Sequence, residues 1–302
     1  MYKATVLVTG ATGFIGWYLI QYLLENRYLV IGLTRQKNKL SSRTNLIWIN
    51  DFDDIQTKQI DFVVNLAGEK IGKGLWTEKR KNELLKSRIE TTHNLYQWLN
   101  DQNIYPKCLI SGSAVGYYGI DSKEQWNTVC SEDTLPQSIF MSQLCYEWEK
   151  AALKHAQHNT KIIRLGVVLG KKEGIFPRMV LPIRMNLIGK IGSGKQPLSW
   201  IHVDDAVRAI EFLFCLQDTQ KIFNLVAPEH VCQMKFVESV CRILHKKTYL
   251  NLPGFLVQVL FGEQSQLMLN GQYISAERLI NAGFEFKYAH LETALQHLLD
   301  VN

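Results

Sequence analysis

Short apolar runs alternate with longer stretches of helical periodicity through the first half of this chain. The runs at 3–9, 29–34, 46–49, 62–66, 107–111 and 161–165 are brief and rich in β-branched residues, which predicts strands. Between them, 77–100 and 138–156 carry apolar residues at helical spacing, and so do Ile15, Leu19 and Leu23 with Ile20 and Leu24. Strands apolar on both faces, alternating with amphipathic helices, predict an α/β protein built on a doubly wound parallel sheet. Ligands of such a sheet bind at the carboxyl ends of its strands.

The turn after the first strand carries chemistry. Thr5-Val6-Leu7-Val8 leads into Gly10-Ala11-Thr12-Gly13-Phe14-Ile15-Gly16, where the first helical pattern opens. Glycine lets backbone approach a ligand closely, and the first free N–H groups of a helix attract an anion. With a second strand following at the βαβ distance, this is a site for the pyrophosphate of a dinucleotide. That second strand ends Leu33-Thr34-Arg35, with Lys37, Lys39 and Arg43 close behind. A carboxylate there would hold the ribose 2′-hydroxyl of NAD, whereas an arginine fork grips a 2′-phosphate, which favours NADP(H). A solvated basic loop is the other reading.

Composition narrows the class. The 302 residues carry a net charge of +6, with Lys and Arg denser at 35–43, 70–88 and 178–195. Scattered charge of this kind suits anionic ligands better than a nucleic-acid surface. No apolar run approaches a membrane span, and Met1-Tyr2-Lys3 leads straight into a strand, so neither membrane nor signal peptide is expected. The six cysteines show no paired metal spacing. A reduced cytoplasmic protein without a metal is the simplest expectation.

The glycine spacing at 10, 13 and 16 resembles the short-chain dehydrogenase/reductase superfamily, particularly its extended, sugar-nucleotide epimerase-like branch. The resemblance implies a Rossmann domain in which Leu66, Ala67 and Gly68 line the cofactor groove and Asp51-Phe52 flanks the adenine. Arg88 falls where related proteins place a small polar residue beside the cofactor. It reads as a further phosphate contact or as a helix-surface ion pair with Glu90 or a neighbour. Ser111-Gly112-Ser113-Ala114-Val115-Gly116-Tyr117-Tyr118-Gly119 is similar to the branch's catalytic stretch. Ser113 thereby falls on the catalytic hydroxyl and Tyr117 on the substrate-facing tyrosine.

The superfamily's acid/base pair is Tyr-x-x-x-Lys on the next helix. Counted from Ser113 and Arg164, those positions fall on Phe140 and Leu144, which cannot titrate. Tyr146 and Lys150 fit the pattern six residues later. Six residues turn a side chain ~240° and shift it ~9 Å, which argues against that register.

Asn65-Leu66-Ala67-Gly68-Glu69, Ser87-Arg88-Ile89-Glu90-Thr91-Thr92 and Ser199-Trp200-Ile201-His202 further resemble an atypical epimerase/dehydratase-like subfamily that lacks the usual Tyr and Lys. Members end in a short domain of unknown function, here about 248–300. The expected organisation is an NADP-binding domain over 1–165, rejoined by 196–226. A smaller substrate-binding region is formed by 166–195 and 227–302. His202 and Asp204-Asp205 read as architecture, the two aspartates capping the helix that follows. Two functions stay open: an NADP(H)-dependent oxidoreductase or epimerase on a small polar or nucleotide-linked substrate, and a catalytically weak NADP(H) sensor acting through a partner. A homodimer also stays open.

Overall fold

Thr5–Thr9 forms β1 and is buried along its whole length, as a strand covered on both faces must be. A computed structural model describes residues 2–35, 43–121 and 123–300. Its further strands are β2 (Leu29–Leu33), β3 (Leu46–Ile49), β4 (Phe62–Asn65), β5 (Cys108–Ala114), β6 (Val129–Cys130) and β7 (Thr160–Leu165). β8 (Val167–Leu169), β9 (Ile188–Ile191), β10 (Trp200–His202), β11 (Ile222–Leu225), β12 (Leu250–Leu252) and β13 (Tyr273–Ile274) follow. The helices are α1 (Phe14–Glu25), α2 (Glu78–Asp101), α3 (Phe140–Leu153), α4 (Phe176–Arg184) and α5 (Val203–Cys215). After these come α6 (Gln233–Leu244), α7 (Gly254–Phe261), α8 (Gln266–Leu269), α9 (Glu277–Asn281) and α10 (Leu291–Leu299).

Seven strands make one parallel sheet in the order β11-β7-β5-β4-β1-β2-β3. The chain leaves β1 toward β2 and returns to its other side with β4, so the strand order reverses there and opens a crevice. Successive side chains of each strand serve opposite faces. Val6, Val8, Val64 and Ile110 pack with Leu19 and Leu23 of α1 and Ile210 and Leu213 of α5. Leu7, Val63, Leu109 and Ile162 pack with Leu95 and Leu99 of α2. The sheet is Rossmann-like and covered by helices on both sides, with a smaller C-terminal region beside it.

One strand outruns its apolar run, which spans 107–111. β5 continues through Ala114 because Gly112, Ser113 and Ala114 stay in register with Ile163, Arg164 and Leu165 of β7. β4 stops at Asn65, opposite Ser111. The last three residues of β5 therefore have a strand on one side only, and a gap opens beyond the end of β4.

The C-terminal region has its own core, in which Trp200, Phe236, Val240, Leu291 and Leu295 meet. Asp205 fastens it to the sheet domain. Its fully buried carboxylate accepts the N–H groups of Lys287 at 2.9 Å and Tyr288 at 2.8 Å and pairs with Arg208 at 2.6 Å. The cap of α5 is His202, whose Nδ1 accepts the Asp204 N–H at 3.0 Å, and not the aspartate pair that the sequence suggested. On the far side of the crevice, Glu263 pairs with Lys81 at 2.6 Å and Gln264 donates to the Ile71 carbonyl at 3.3 Å. Among the described residues, no helix is long and apolar enough to cross a membrane.

Asp205→Ala would leave the Lys287 and Tyr288 N–H groups without their acceptor, the second of them buried. We expect it to cost about 3 kcal/mol in urea unfolding, the scale of a broken buried charged contact. An unchanged midpoint would mean that apolar packing alone holds the C-terminal segment.

Candidate functional site

The three glycines of the first turn do different work. Gly10 sits at φ +66°, and a Cβ there would lie 2.6 Å from the Leu66 carbonyl oxygen, so both its conformation and its space exclude a side chain. A Cβ on Gly16 would lie 2.3 Å from the Gly10 carbonyl oxygen, which lets α1 close down on the turn. Gly13, the N-cap of α1, has an ordinary extended backbone at φ −76° and needs no special freedom. α1 starts with no side-chain cap and no acidic residue in its first turn. The N–H groups of Phe14, Ile15 and Gly16 belong to that first turn, which has no intrahelical acceptors. Thr12 is exposed at its mouth. Backbone donors, positive helix dipole and absent side chains together fit a pyrophosphate.

At the end of β2 the Arg35 guanidinium meets Glu69 Oε1 at 2.9 Å. Arg35 holds the Glu69 carboxyl below the usual carboxylate range. Glu69 reaches it from the loop after β4, a carboxylate that the linear sequence does not place near the second strand. Thr34 accepts from Asn50 Nδ2 through its carbonyl at 2.7 Å. Asp51 caps the short turn Phe52–Asp54, and the Phe52 ring stacks on Trp98 at 5.4 Å. Arg43 lies just before β3, while Lys37 and Lys39 fall outside the described residues.

The other end of the crevice is built around the gap beyond β4. Thr9 donates to Asn65 at 2.6 Å and Asn65 to Thr92 at 2.9 Å, tying β1, β4 and α2 together below it. Leu66, Ala67 and Gly68 leave β4 at this edge, each with some exposure. Trp148 of α3 packs against the sheet at this edge, and a Cβ on Gly112 would lie only 3.0 Å from its ring. The Arg88 guanidinium sits 5.2 Å from the centre of that ring. It donates to the Leu84 and Glu69 carbonyls, each at 3.0 Å. The Glu90 ion pair considered from sequence does not form. Among the described residues Arg88 has no ion-pair partner, and burial pulls its pKa below the ordinary arginine value.

Ser113 lies deeper and is committed to a buried carboxylate, donating to Glu149 Oε1 at 2.6 Å. Arg164 clasps the same carboxylate through Nε and a terminal nitrogen, both at 2.8 Å. Its other terminal nitrogen donates to the Tyr118 hydroxyl at 2.9 Å, which donates to Asn224 at 2.6 Å. The Tyr117 ring lies flat against the guanidinium, 3.5 Å from it. Burial works against the Arg164 charge, but the Glu149 pair outweighs it and raises the guanidinium pKa. Burial likewise raises the pKa of both tyrosines. The structure thus brings Ser113 and Tyr117 into one network with Glu149 and Arg164. Sequence reasoning passed over Glu149, although an acid on the face shared by Cys145 and Ala152 was a signal.

Phe140 and Leu144 pack in an apolar cluster with Trp76, Leu84 and Met141. Tyr146 is 43% exposed, with the Lys150 ammonium 5.8 Å from its ring. On the opposite flank, ligand atoms of His202, Asp204 and His297 gather within 4.8 Å. Because His202 Nδ1 accepts the α5 cap bond, its proton lies on Nε2 and points at His297 Nδ1, 3.1 Å away. Burial pushes the His202 pKa down to about 3, so its ring donates to His297 as a neutral imidazole.

Comparison with known proteins agrees with this fold. The NAD dependent epimerase/dehydratase family model matches residues 6–225, and a domain of unknown function, DUF1731, matches 252–298. The epimerase family protein SERP0438 of Staphylococcus epidermidis is 34% identical over 298 residues, 97% of this chain and 98% of that protein. The human epimerase family protein SDR39U1 (isoform 2), solved with NADPH, superposes with a TM-score of 0.89 at 30% identity. That alignment covers 99% of this chain and 100% of the human one. The UDP-glucuronic acid 4-epimerase of Bacillus cereus, solved with UDP-glucuronic acid and NAD, shares the fold at 20% identity and a TM-score of 0.77, with 98% of each chain covered.

Gly16→Ala forces the first turn open against the Gly10 carbonyl. We expect nicotinamide dinucleotide affinity to fall tenfold or more, about 1.4 kcal/mol, in calorimetric titration. Gly13→Ala, with 3.1 Å available and φ −76°, should cost less. The reverse order would place the dinucleotide elsewhere.

Proposed function

This chain belongs to the NAD-dependent epimerase/dehydratase family, and from that premise we propose an NADP(H)-dependent oxidoreductase or epimerase acting on a small polar or nucleotide-linked substrate. The observation that carries the reading is the uncapped, glycine-lined start of α1 opening into the β1/β4 crevice, with Arg35 at the end of β2. NADPH in the human relative supports the same preference. The nicotinamide, when bound, would supply hydride exchange.

The chain's own residues would do the rest. Gly10, Thr12, Gly13, Phe14, Ile15 and Gly16 would present backbone to the pyrophosphate. Arg35, released from its exposed pair with Glu69, would hold the 2′-phosphate beside Thr34. Asp51 and Phe52 would flank the adenine, and Leu66, Ala67 and Gly68 would line the groove beyond. A Ser113 hydroxyl that donates to Glu149 keeps only lone pairs, so it would accept a hydrogen bond from a substrate hydroxyl, with Tyr117 alongside. Its compartment would be the cytoplasm, where buried thiols such as Cys108 and Cys145 stay reduced.

A second reading, a sensor that binds NADP(H) and signals through a partner, draws on one observation. Phe140 and Leu144 stand in an apolar cluster where a titrating pair was sought. NADPH turnover with a metabolite pool separates the two readings. Turnover supports the enzyme, and redox-dependent partner capture without turnover supports the sensor.

Arg35→Ala should weaken NADPH binding by ~1.5–3 kcal/mol, the scale of a charge-assisted hydrogen bond, and leave NADH nearly unchanged. Glu69→Gln should tighten NADPH by removing the competing carboxylate. Equal affinity of the unmodified protein for both cofactors would overturn the preference.

Ser113→Ala and Tyr117→Phe should each lower turnover by ~10²-fold, with Tyr146→Phe nearly silent. Loss of turnover in Tyr146→Phe alone would restore a Tyr–Lys mechanism.

A further inference from the structure

Arg88 has no ion-pair partner among the described residues, while Arg35 is matched by Glu69 and Arg164 by Glu149. It is held in place nonetheless. Two of its five N–H donors engage the Leu84 and Glu69 carbonyls, and its guanidinium carbon sits 5.2 Å from the centre of the Trp148 ring. Gly68 and Gly112 make room for this stack: a Cβ on Gly68 would lie 3.1 Å from the guanidinium carbon and one on Gly112 3.0 Å from Trp148. Orientation is therefore fixed, and three donors are left over.

Its place argues against a cofactor phosphate. The pyrophosphate turn is at the end of β1 and the 2′-phosphate contact at the end of β2. Arg88 is reached from the other side of β1 in the sheet order: its guanidinium neighbours Trp148, which lies against Gly112 of the β5 overhang, next in sequence to Ser113 of the buried network. That is the substrate side of the crevice if the proposed cofactor placement holds, and the inference rests on that reading. A part-buried guanidinium without an ion-pair partner is costly, and a planar anion relieves the cost through paired N–H···O bonds.

We propose that Arg88 is the anion-binding residue of the substrate site, and that the substrate carries a carboxylate which the guanidinium receives on the Trp148 platform. Specificity for acids over their neutral analogues then comes from Arg88, while Arg35 and the glycine turn determine cofactor affinity.

The test titrates malonate, with malonamide as neutral control, into the full chain saturated with NADPH. Saturable malonate binding, weakened tenfold or more in Arg88→Met and less in Arg88→Lys, is the expected result. NADPH affinity, measured separately, should change less than threefold in both variants. Arg88→Lys keeps the charge and covers the case in which Arg88→Met fails to fold. Malonate binding no better than malonamide, or unchanged in the variants, overturns the proposal. A tenfold loss of NADPH with malonate unaffected would return Arg88 to the cofactor. Failure of the unmodified chain to bind NADPH would instead strike the reading on which the proposal rests.

Discussion

The site depends on how closely the β1–α1 turn lies against the end of β4. Gly10 has no side chain, and a Cβ there would lie 2.6 Å from the Leu66 carbonyl oxygen. Because Gly10 touches the chain just past β4, the start of α1 hangs directly over the point where strand order reverses. Gly16 then brings the first helical turn down on Gly10 itself. A single Cβ at either place would lift α1 away from the sheet and turn its free N–H groups off the crevice. The apolar packing of Leu19 and Leu23 against Val6 and Val8 supplies much of the stability, but it tolerates small shifts that the phosphate geometry does not.

From that fixed turn the crevice runs toward β5 and the helix α3 that covers it. Phe140 and Leu144 of α3 pack in an apolar cluster, while the same helix sends Glu149 into the sheet to meet Arg164 and Ser113. A buried ion pair of this kind adds little net stability, because desolvation offsets most of the attraction. It does hold geometry: two parallel bonds from Arg164 orient Glu149, Glu149 orients the Ser113 hydroxyl, and Tyr117 is pressed against the guanidinium. The network positions polar groups beside the strand ends in a fixed arrangement.

Most of the fold was legible in the sequence because its strands are apolar on both faces and its helices on one, so period alone separates them. The six strand runs and the two long helical patterns are all present, and the glycine turn stands where a βαβ unit needs it. Where the apolar pattern ran out, tertiary pairing decided. Gly112-Ser113-Ala114 lies past the last apolar residue of its run, yet β7 holds it as strand. The site was less legible because its contacts join residues far apart in sequence: Arg35 with Glu69, Gly112 with Trp148, Ser113 with Glu149. His202 was read as architecture, and it proved to be the α5 cap itself, a role that a period cannot reveal.

The three arginines of the crevice differ most in what already neutralises them, and this ranks their capacity to respond to a ligand. Arg164 is fully buried on a bidentate carboxylate, and separating such a pair costs roughly 3–5 kcal/mol, so it serves as scaffold. Arg35 is 89% exposed in a surface pair of the kind worth about 0–1 kcal/mol, so an incoming phosphate can displace Glu69 at little cost. Arg88 has neither arrangement. Its position is secured by carbonyls and an aromatic ring, without an ion pair of its own, so an arriving anion gains attraction without breaking an existing pair. Rigidity without neutralisation is the condition under which a cation contributes most to recognition, because little ordering entropy remains to be lost. Along one crevice the chain thus sets a fixed charge, an exchangeable charge and an open one.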